Sequence, residues 1–176
     1  MAKKVKTPEA AAATTTANTN TVDIGISEKN RQAIANDLQV LLADEVVLYN
    51  KTRNFHWNVE GMHFGQLHKL FEEQYEAIAG LTDDVAERIR KIGHYAVGNL
   101  GDFLKLTHLV EHLGEGSADS DMIRALTEDH ETIIRFVRNL VDTVDNKYGD
   151  AGTADFLTGL MEDHEKMAWM LRAHLA

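Results

Sequence analysis

The sequence predicts an all-α protein built as a four-helix bundle, with a short extra helix in the long connection between the second and third helices. Apolar residues recur at three- and four-residue spacing through four long segments, and no alternating strand pattern stands out. The single proline, Pro8, lies in the leading segment, so it interrupts none of them. Two helical hairpins joined by one long link are typical of this architecture.

Capping residues and apolar spacing set the expected helix boundaries. Ser27 is suited to cap the first helix, and Gly61 suits the position just past its end. A link of about 93–118 is long enough to cross the bundle, and it contains the short helical candidate. The predicted helices cover about 28–58, 64–92, 102–112, 120–146 and 153–175.

The first 24 residues differ in composition from the rest of the chain. They are biased toward Ala, Thr and Asn, which predicts a disordered N-terminal tail (1–24) ahead of one folded domain (25–176). The formal net charge is −10; residues 1–22 hold three lysines and one glutamate, so the remainder carries −12. Such an acidic body repels nucleic acid and attracts cations. Any DNA contact is therefore expected from Lys3, Lys4 and Lys6.

Several classes of protein are excluded by what the sequence lacks. The absence of cysteine excludes disulfides, thiolate catalysis and cysteine-based zinc sites. There is no run of 18 apolar residues that could span a membrane, and no apolar segment follows the N-terminal lysines as in a secretory signal. A cytoplasmic location is expected, in association with the nucleoid if DNA is bound.

The most informative residues form a candidate metal-binding set: His56, His68, Glu72, Asp83 and Glu87. Two imidazoles and three carboxylates suit iron. At about 100° per residue, the four positions on the second helix fall within roughly a 100° arc, opposite its apolar face. His68 and Asp83 are nevertheless about 22 Å apart along the helix axis. One chain therefore cannot close a single site with all five side chains.

A two-fold axis would resolve this separation. If an antiparallel copy packs against the second helix, position 68 of one copy meets position 87 of the other, and 72 meets 83. Ala79 and Gly80, near the axis, would allow close approach. Each chain would then carry two half-sites. The competing interpretation is that these acids are simply the solvated stripe of an amphipathic helix. Glu76 shares this face and has no assigned role.

Four motifs carry a resemblance to a known family. The stretch R-N-F-H-W-N-V-E-G, then F-x-x-x-H-x-x-F-E and D-D-V-A-E-R, resembles the Dps family of miniferritins, as does G-T-A-D-F-L-T ahead of the last helix. The resemblance covers about 25–175 and implies a ferritin-like bundle in a twelve-subunit hollow shell. It also implies di-iron ferroxidase centres at two-fold interfaces, with His56, His68 and Glu72 from one chain and Asp83 and Glu87 from its neighbour. Position 72, often Asp in this family, is Glu here, and Asp84 is an alternative to Asp83.

The resemblance further implies that the protein oxidises Fe(II), preferably with hydrogen peroxide, and stores the ferric mineral as protection against oxidative stress. Trp57 either intercepts oxidising equivalents near the iron or is an interface aromatic. Four acids near the turn between the third and fourth helices either attract cations to a pore or are simply solvated: Asp142, Asp145, Asp150 and Asp155.

Two other functions compete with iron oxidation. Twelve lysine-bearing tails on one shell could compact DNA by multivalent contacts. A ferritin-like scaffold could also serve as an interaction protein without metal, because a fold does not fix a function.

The remaining histidines have weaker interpretations. His130 and His164 fall on apolar stripes and are expected in the core or at an interface. His108 and His112 are spaced as a metal-binding pair or as part of a subunit contact. No role is assigned to His63, which could be an auxiliary ligand.

Overall fold

The predicted helical bundle is confirmed by the computed structural model, which describes residues 22–111 and 118–175. This described part contains no strand. Residues 1–21 of the predicted tail, with its three lysines, lie outside it, as does His112. The elements are α1 (Glu28–Asn58), α2 (Phe64–Lys91), α3 (Leu100–Leu106), α4 (Asp119–Asp142), a π-helical turn (Thr143–Lys147) and α5 (Ala151–Ala173).

Two antiparallel hairpins, α1 with α2 and α4 with α5, pack into one core. Fully buried side chains from each long helix meet there, including Leu48, Phe71, Ile133 and Leu157. Burying each such side chain stabilises the fold by about 1.5–3 kcal/mol relative to leaving it exposed. No helix among the described residues is long and apolar enough to cross a membrane.

Polar side chains on the inner face of α1 fix the path of the crossover from α2 to α4. The side-chain amide of Gln39 donates to the carbonyl of Tyr95 at 2.6 Å and accepts from the backbone N–H of Val97 at 2.9 Å. Further along, the buried carboxylate of Asp44 accepts from the hydroxyl of Thr107 and the backbone N–H of His108, both at 2.7 Å.

The contacts of Asp44 explain why the short helix differs from the prediction. The sequence predicted this helix over 102–112, whereas α3 begins at Leu100 and ends at Leu106. The backbone just past Leu106 turns extended at Thr107 because its polar groups bind Asp44 rather than continuing the helix. Apolar spacing alone does not reveal this long-range contact.

The end of α2 depends on a glycine. Gly93 has φ +96°, a conformation that side chains with a Cβ rarely adopt. A Cβ there would also lie 2.7 Å from the guanidinium of Arg31. That guanidinium donates to the carbonyl of Ile92 at 3.0 Å and so fixes the end of α2 against α1. The helix that carries most of the candidate metal ligands is therefore held at its C-terminal end.

Candidate metal centre

His56 and His68 face each other across the α1–α2 hairpin. His56 lies in the last turn of α1 and His68 near the start of α2. Their rings stack with centroids 3.8 Å apart and planes inclined by 22°. Phe55 and Phe71, both fully buried, pack beside them with ring centroids 6.5 Å apart. The aromatic packing brings the two helix ends, and with them the two imidazoles, into register.

The backbone fixes the tautomer of both imidazoles. Nδ1 of His56 lies 2.8 Å from the carbonyl oxygen of His68, and Nδ1 of His68 lies 2.8 Å from the carbonyl oxygen of His56. A carbonyl oxygen can only accept, so each Nδ1 carries a proton and donates. The neutral ring then has its lone pair on Nε2. Metal-binding histidines are typically oriented by such a hydrogen bond from the other ring nitrogen.

Glu72 lies one turn after His68 on α2 and adds a carboxylate to the pair. Lys69 donates to Glu72 at 3.1 Å, and this hydrogen bond and its charge lower the pKa of the Glu72 carboxyl. A positive charge on the imidazole of His56 or His68, when either is protonated, lowers that pKa further. The carboxylate is thus ionised, as a metal ligand must be. One of its oxygens, however, already accepts a hydrogen bond from Lys69.

Asp83 and Glu87 are exposed on the far half of α2. The residues of α2 that are buried against the rest of the chain lie on another side of the helix: Leu67, Leu70, Phe71, Gln74, Ile78, Val85 and Ile89. Among residues 22–111 and 118–175, no three His, Asp or Glu side chains converge closely enough to hold a metal ion. Within one chain, the structure thus brings together only the imidazoles of His56 and His68. Glu72 lies near enough for their charges to affect its pKa, and the two distal acids lie elsewhere on α2.

The comparisons with known proteins show which family the chain belongs to. A Ferritin-like domain matches residues 35–176. A DNA protection during starvation protein of Helicobacter pylori strain J99 is 37% identical over 139 residues, covering 79% of this chain and 96% of that one. The chain belongs to the Dps family.

Two further proteins match most of this Dps chain, one by sequence and one by structure. An uncharacterized low-temperature-induced protein of Nostoc sp. strain PCC 7120 is 44% identical over 154 residues, covering 88% of this chain and 86% of that one. The crystal structure of the Dps protein from Vibrio cholerae O1 superposes with a TM-score of 0.81 at 30% identity, covering 87% of this chain and 95% of that one. The Vibrio protein is a member of a broad superfamily of ferritin-like diiron-carboxylate proteins.

Of the other residues predicted at functional sites, all but Asp150 are exposed. Trp57 is 61% exposed in one Dps chain, with the guanidinium of Arg53 5.3 Å from its ring. Asp142, Asp145 and Asp155 are exposed near the turn into α5. Asp150 is buried instead: it caps α5 by accepting from the backbone N–H of Thr153 at 2.9 Å, and it binds Arg88 at 3.1 Å. Its carboxylate holds the turn together.

His130 and His164 lie in the core, in agreement with the expectation for them. Both are fully buried, their Nδ1 atoms are 2.9 Å apart, and Nε2 of His164 lies 2.8 Å from the buried carboxylate of Glu45. Burial lowers the pKa of His130 well below its usual range, and the neighbouring His164 lowers it further. Nδ1 of His108 lies 3.0 Å from the carboxylate of Asp44. This contact accounts for the position of His108 without a metal ion shared with His112.

Sequence reasoning missed two residues beside the paired histidines. Tyr75 presents its ring edge-on to His56 with centroids 5.2 Å apart. Lys69 is the partner of Glu72. The signal was available for Lys69, because a lysine three residues before a glutamate on a helix can pair with it. Nothing in the spacing of Tyr75 indicated its contact with α1.

Proposed function

We propose that this Dps protein is a ferroxidase that oxidises Fe(II) at two-iron sites shared between subunits and stores the ferric product inside a hollow shell of twelve copies. Hydrogen peroxide is the favoured oxidant. The observation that carries the proposal is the reciprocal hydrogen bonding of His56 and His68, which leaves the lone pair of each Nε2 for a metal ion beside the ionised Glu72.

Each side chain has a distinct part in this proposal. The two neutral imidazoles bind Fe(II) without adding charge, and Glu72 compensates part of the charge of the metal. Asp83 and Glu87 of a second chain complete the ligand set through a two-fold axis, because they are exposed on the same helix and too distant to act within their own chain. Holding two Fe(II) ions beside one peroxide lowers the entropic barrier to a two-electron reaction.

The supply of iron follows from charge. The exposed Asp142, Asp145 and Asp155 near the start of α5 belong to an acidic body that attracts cations. We assign these three residues to a route by which Fe(II) enters the shell, whereas Asp150 maintains the turn on which they lie. We assign Trp57, which is 61% exposed in one chain, to the contact with a neighbouring subunit.

The test of the ferroxidase proposal is the double variant His56→Ala/His68→Ala. We expect peroxide-driven oxidation of Fe(II), followed by the absorbance of the ferric product, to slow to the rate of the uncatalysed reaction. The control is His174→Ala, which removes an exposed histidine at the end of α5. An unchanged oxidation rate in a double variant that still assembles would refute the assignment.

Binding of DNA through the tails is a second candidate, because the Helicobacter relative is a DNA protection during starvation protein. Three lysines per tail would act together on one shell and give binding that weakens steeply with salt. A gel-shift assay at low and moderate salt, with and without residues 1–22, tests this. If the truncated protein retards DNA as well as the full chain does, the tails are not responsible.

A further inference from the structure

A buried histidine, His94, lies at the start of the crossover, just after α2 ends. It is only 2% exposed, and its Nε2 is buried without a hydrogen-bond partner among the residues that the structure describes. The carboxylate of Glu28, the first residue of α1, lies 3.7 Å from this Nε2, which is too far for a hydrogen bond. A buried polar atom without a partner lowers stability, so this position calls for a physical explanation.

The entry segment, residues 22–27, leads into α1 and is held against the end of α2. The Nε of Arg31 donates to the carbonyl of Ile26 at 3.3 Å, and the same guanidinium fixes the end of α2. The side chain of Val22 packs so close to Gly93 that a Cβ on this glycine would lie 2.9 Å from it. Gly93 directly precedes the buried histidine, so a movement of that histidine disturbs the surface on which the entry segment packs.

The charges around His94 do not suit a protonated imidazole. Glu28 is exposed, and its other carboxylate oxygen already binds Arg31 at 2.6 Å. Arg90 on α2 adds a further cation, which donates to the backbone carbonyl of His94 at 2.9 Å. Burial lowers the pKa of His94; Glu28 raises that pKa and Arg31 lowers it, and the net direction is downward. An imidazolium buried beside one shared, water-screened carboxylate therefore costs free energy.

We propose that His94 is an acid-sensitive latch for the entry segment. While the imidazole is neutral, it stays buried and the entry segment stays packed on the end of α2. When the imidazole takes up a proton, it moves into solvent, the turn at Gly93 moves with it, and Val22 loses its contact. The latch involves no iron, so this inference stands apart from the proposed ferroxidase function.

The direction of the pH effect depends on which form binds the proton more easily. In the open form the imidazole of His94 is in water, where its pKa is about 6.5, whereas in the closed form its pKa is lower. The open form therefore binds more protons in acid solution, and the closed form loses stability as the pH falls through about 6.5. One proton changes the opening equilibrium by at most about tenfold per pH unit.

The first test is hydrogen–deuterium exchange of the assembled protein from about pH 7.5 to about pH 5, corrected for the intrinsic pH dependence of exchange. The backbone N–H of residue 94 bonds to the carbonyl of Ile89 at 3.1 Å, and that of Gly93 bonds to the carbonyl of Arg90 at 3.0 Å. We expect the protection of both N–H groups to fall by up to about tenfold per pH unit below about pH 6.5. In His94→Gln the protection should not vary with pH, whereas the control His174→Ala, at an exposed position, should behave as the wild type does.

The release of the entry segment itself is measured by limited proteolysis with thermolysin, which cleaves before apolar residues. Cleavage before Ile26, which is half-buried, should accelerate in the wild type over the same pH range. The rate is compared with that of His94→Gln at each pH, which cancels the pH dependence of the protease. Protection around Ile133, in the middle of α4, should stay much higher and so separates local opening from unfolding of the whole protein.

Unchanged protection of residues 93 and 94 in the wild type down to about pH 5 would overturn the proposal, as would an equal loss in His94→Gln. If His94→Gln opens the turn at every pH, Glu28→Gln decides, because it leaves the imidazole in place and removes only the carboxylate beside it. Without Glu28 the buried imidazole resists a proton more strongly, so the loss of protection should continue to lower pH than in the wild type. A loss identical to that of the wild type would contradict the latch.

Discussion

The Nδ1 atoms of His56 and His68 each lie 2.8 Å from the backbone carbonyl oxygen of the other residue. This reciprocal pair joins the end of α1 to the start of α2 and directs the Nδ1–H of each ring to a carbonyl oxygen. Both hydrogen bonds use backbone atoms, so they do not depend on a third side chain. The half-site therefore has its imidazoles oriented before any metal ion binds, which reduces the entropic cost of binding.

Lys69 competes with metal for Glu72. Their ion pair is exposed, so replacing Lys69 by Met should raise the affinity for a divalent cation only modestly, by about threefold. Titration calorimetry of the assembled protein with Co²⁺ measures this. The control is Lys105→Met, which breaks an equally exposed pair, with Asp102 at 3.0 Å, away from the site. Weaker Co²⁺ binding in the Lys69 variant would show that the lysine supports the site.

The buried ion pair between Lys51 and Asp129 stabilises the contact of α1 with α4. The two side-chain atoms are 2.5 Å apart and largely shielded from water. Burial raises the pKa of the Asp129 carboxyl, and the hydrogen bond and charge of Lys51 oppose that rise. Replacing Lys51 by Met leaves the carboxylate without its partner and should lower the free energy of unfolding by about 3–5 kcal/mol.

Urea denaturation at fixed protein concentration checks this value, because assembly makes stability depend on concentration. The double variant Lys51→Met/Asp129→Leu should recover most of the loss, since it removes both charges. If the single variant is as stable as the wild type, the pair is not buried in the assembled protein.

The buried histidine pair predicts a loss of stability in mild acid. The pKa of folded His130 is lowered by burial and by His164, whereas the unfolded histidine takes up a proton near pH 6.5. The unfolded state then binds more protons, so stability falls as the pH drops below about 6.5, by at most about 1.4 kcal/mol per pH unit for one group. His164 and Glu45, which is joined to His164, face this group.

Comparison of wild type with His130→Leu isolates the effect. The free energy of unfolding is measured by urea denaturation on both sides of the titration range, and the variant should show a shallower decline in acid. The pKa of His94 is also lowered by burial, but it contributes equally to both proteins and cancels in the comparison. His174→Ala, at an exposed position, should keep the wild-type slope. Identical slopes for all three would mean that His130 does not titrate with unfolding.

Much of the fold was predictable because it depends on local signals. The sequence predicted that α1 begins after Ser27 and ends at Asn58, and the side chain of Ser27 does accept from the backbone N–H of Asn30. The separation of acids and apolar residues on α2 likewise followed from periodicity. Such signals lie within a few residues of the feature that they determine, so one sequence is enough to read them.

Some of the features that the sequence did not predict depend on contacts between distant segments. The contact of Asp44 with Thr107 and His108 ends the short helix early. A continuous helix was also predicted through Asn146, whereas α4 ends at Asp142 and gives way to a π-helical turn. This second difference is local: the backbone N–H of Asp150 bonds to the carbonyl of Val144, six residues earlier, and apolar spacing does not distinguish a π-helical turn from an α-helical one. Spacing along the chain carries no information about partners more than a few turns away.

The candidate site shows the same division. The types and spacing of His56, His68 and Glu72 predicted that they are metal ligands, and the pairing of His56 with His68 follows from the hairpin. The orienting carbonyls, the competing Lys69 and the ring of Tyr75 required the structure. The assignment of Asp83 and Glu87 to a neighbouring chain stays a prediction, supported by their exposure and by their distance along α2.

A mixed shell tests the shared site most directly. Each shared site takes His68 from one chain and Glu87 from the other. A shell made only of His68→Ala chains lacks the first ligand at every site, and a shell made only of Glu87→Gln chains lacks the second. Each variant alone should therefore have little ferroxidase activity. When the two chains are co-expressed and pair at random, every hybrid two-fold pair regains one intact site, which restores about one quarter of the wild-type sites. The account predicts that co-expressed shells recover about that fraction of the rate, whereas the same variants assembled separately and then mixed do not. No recovery on co-expression would show that each chain builds its site alone.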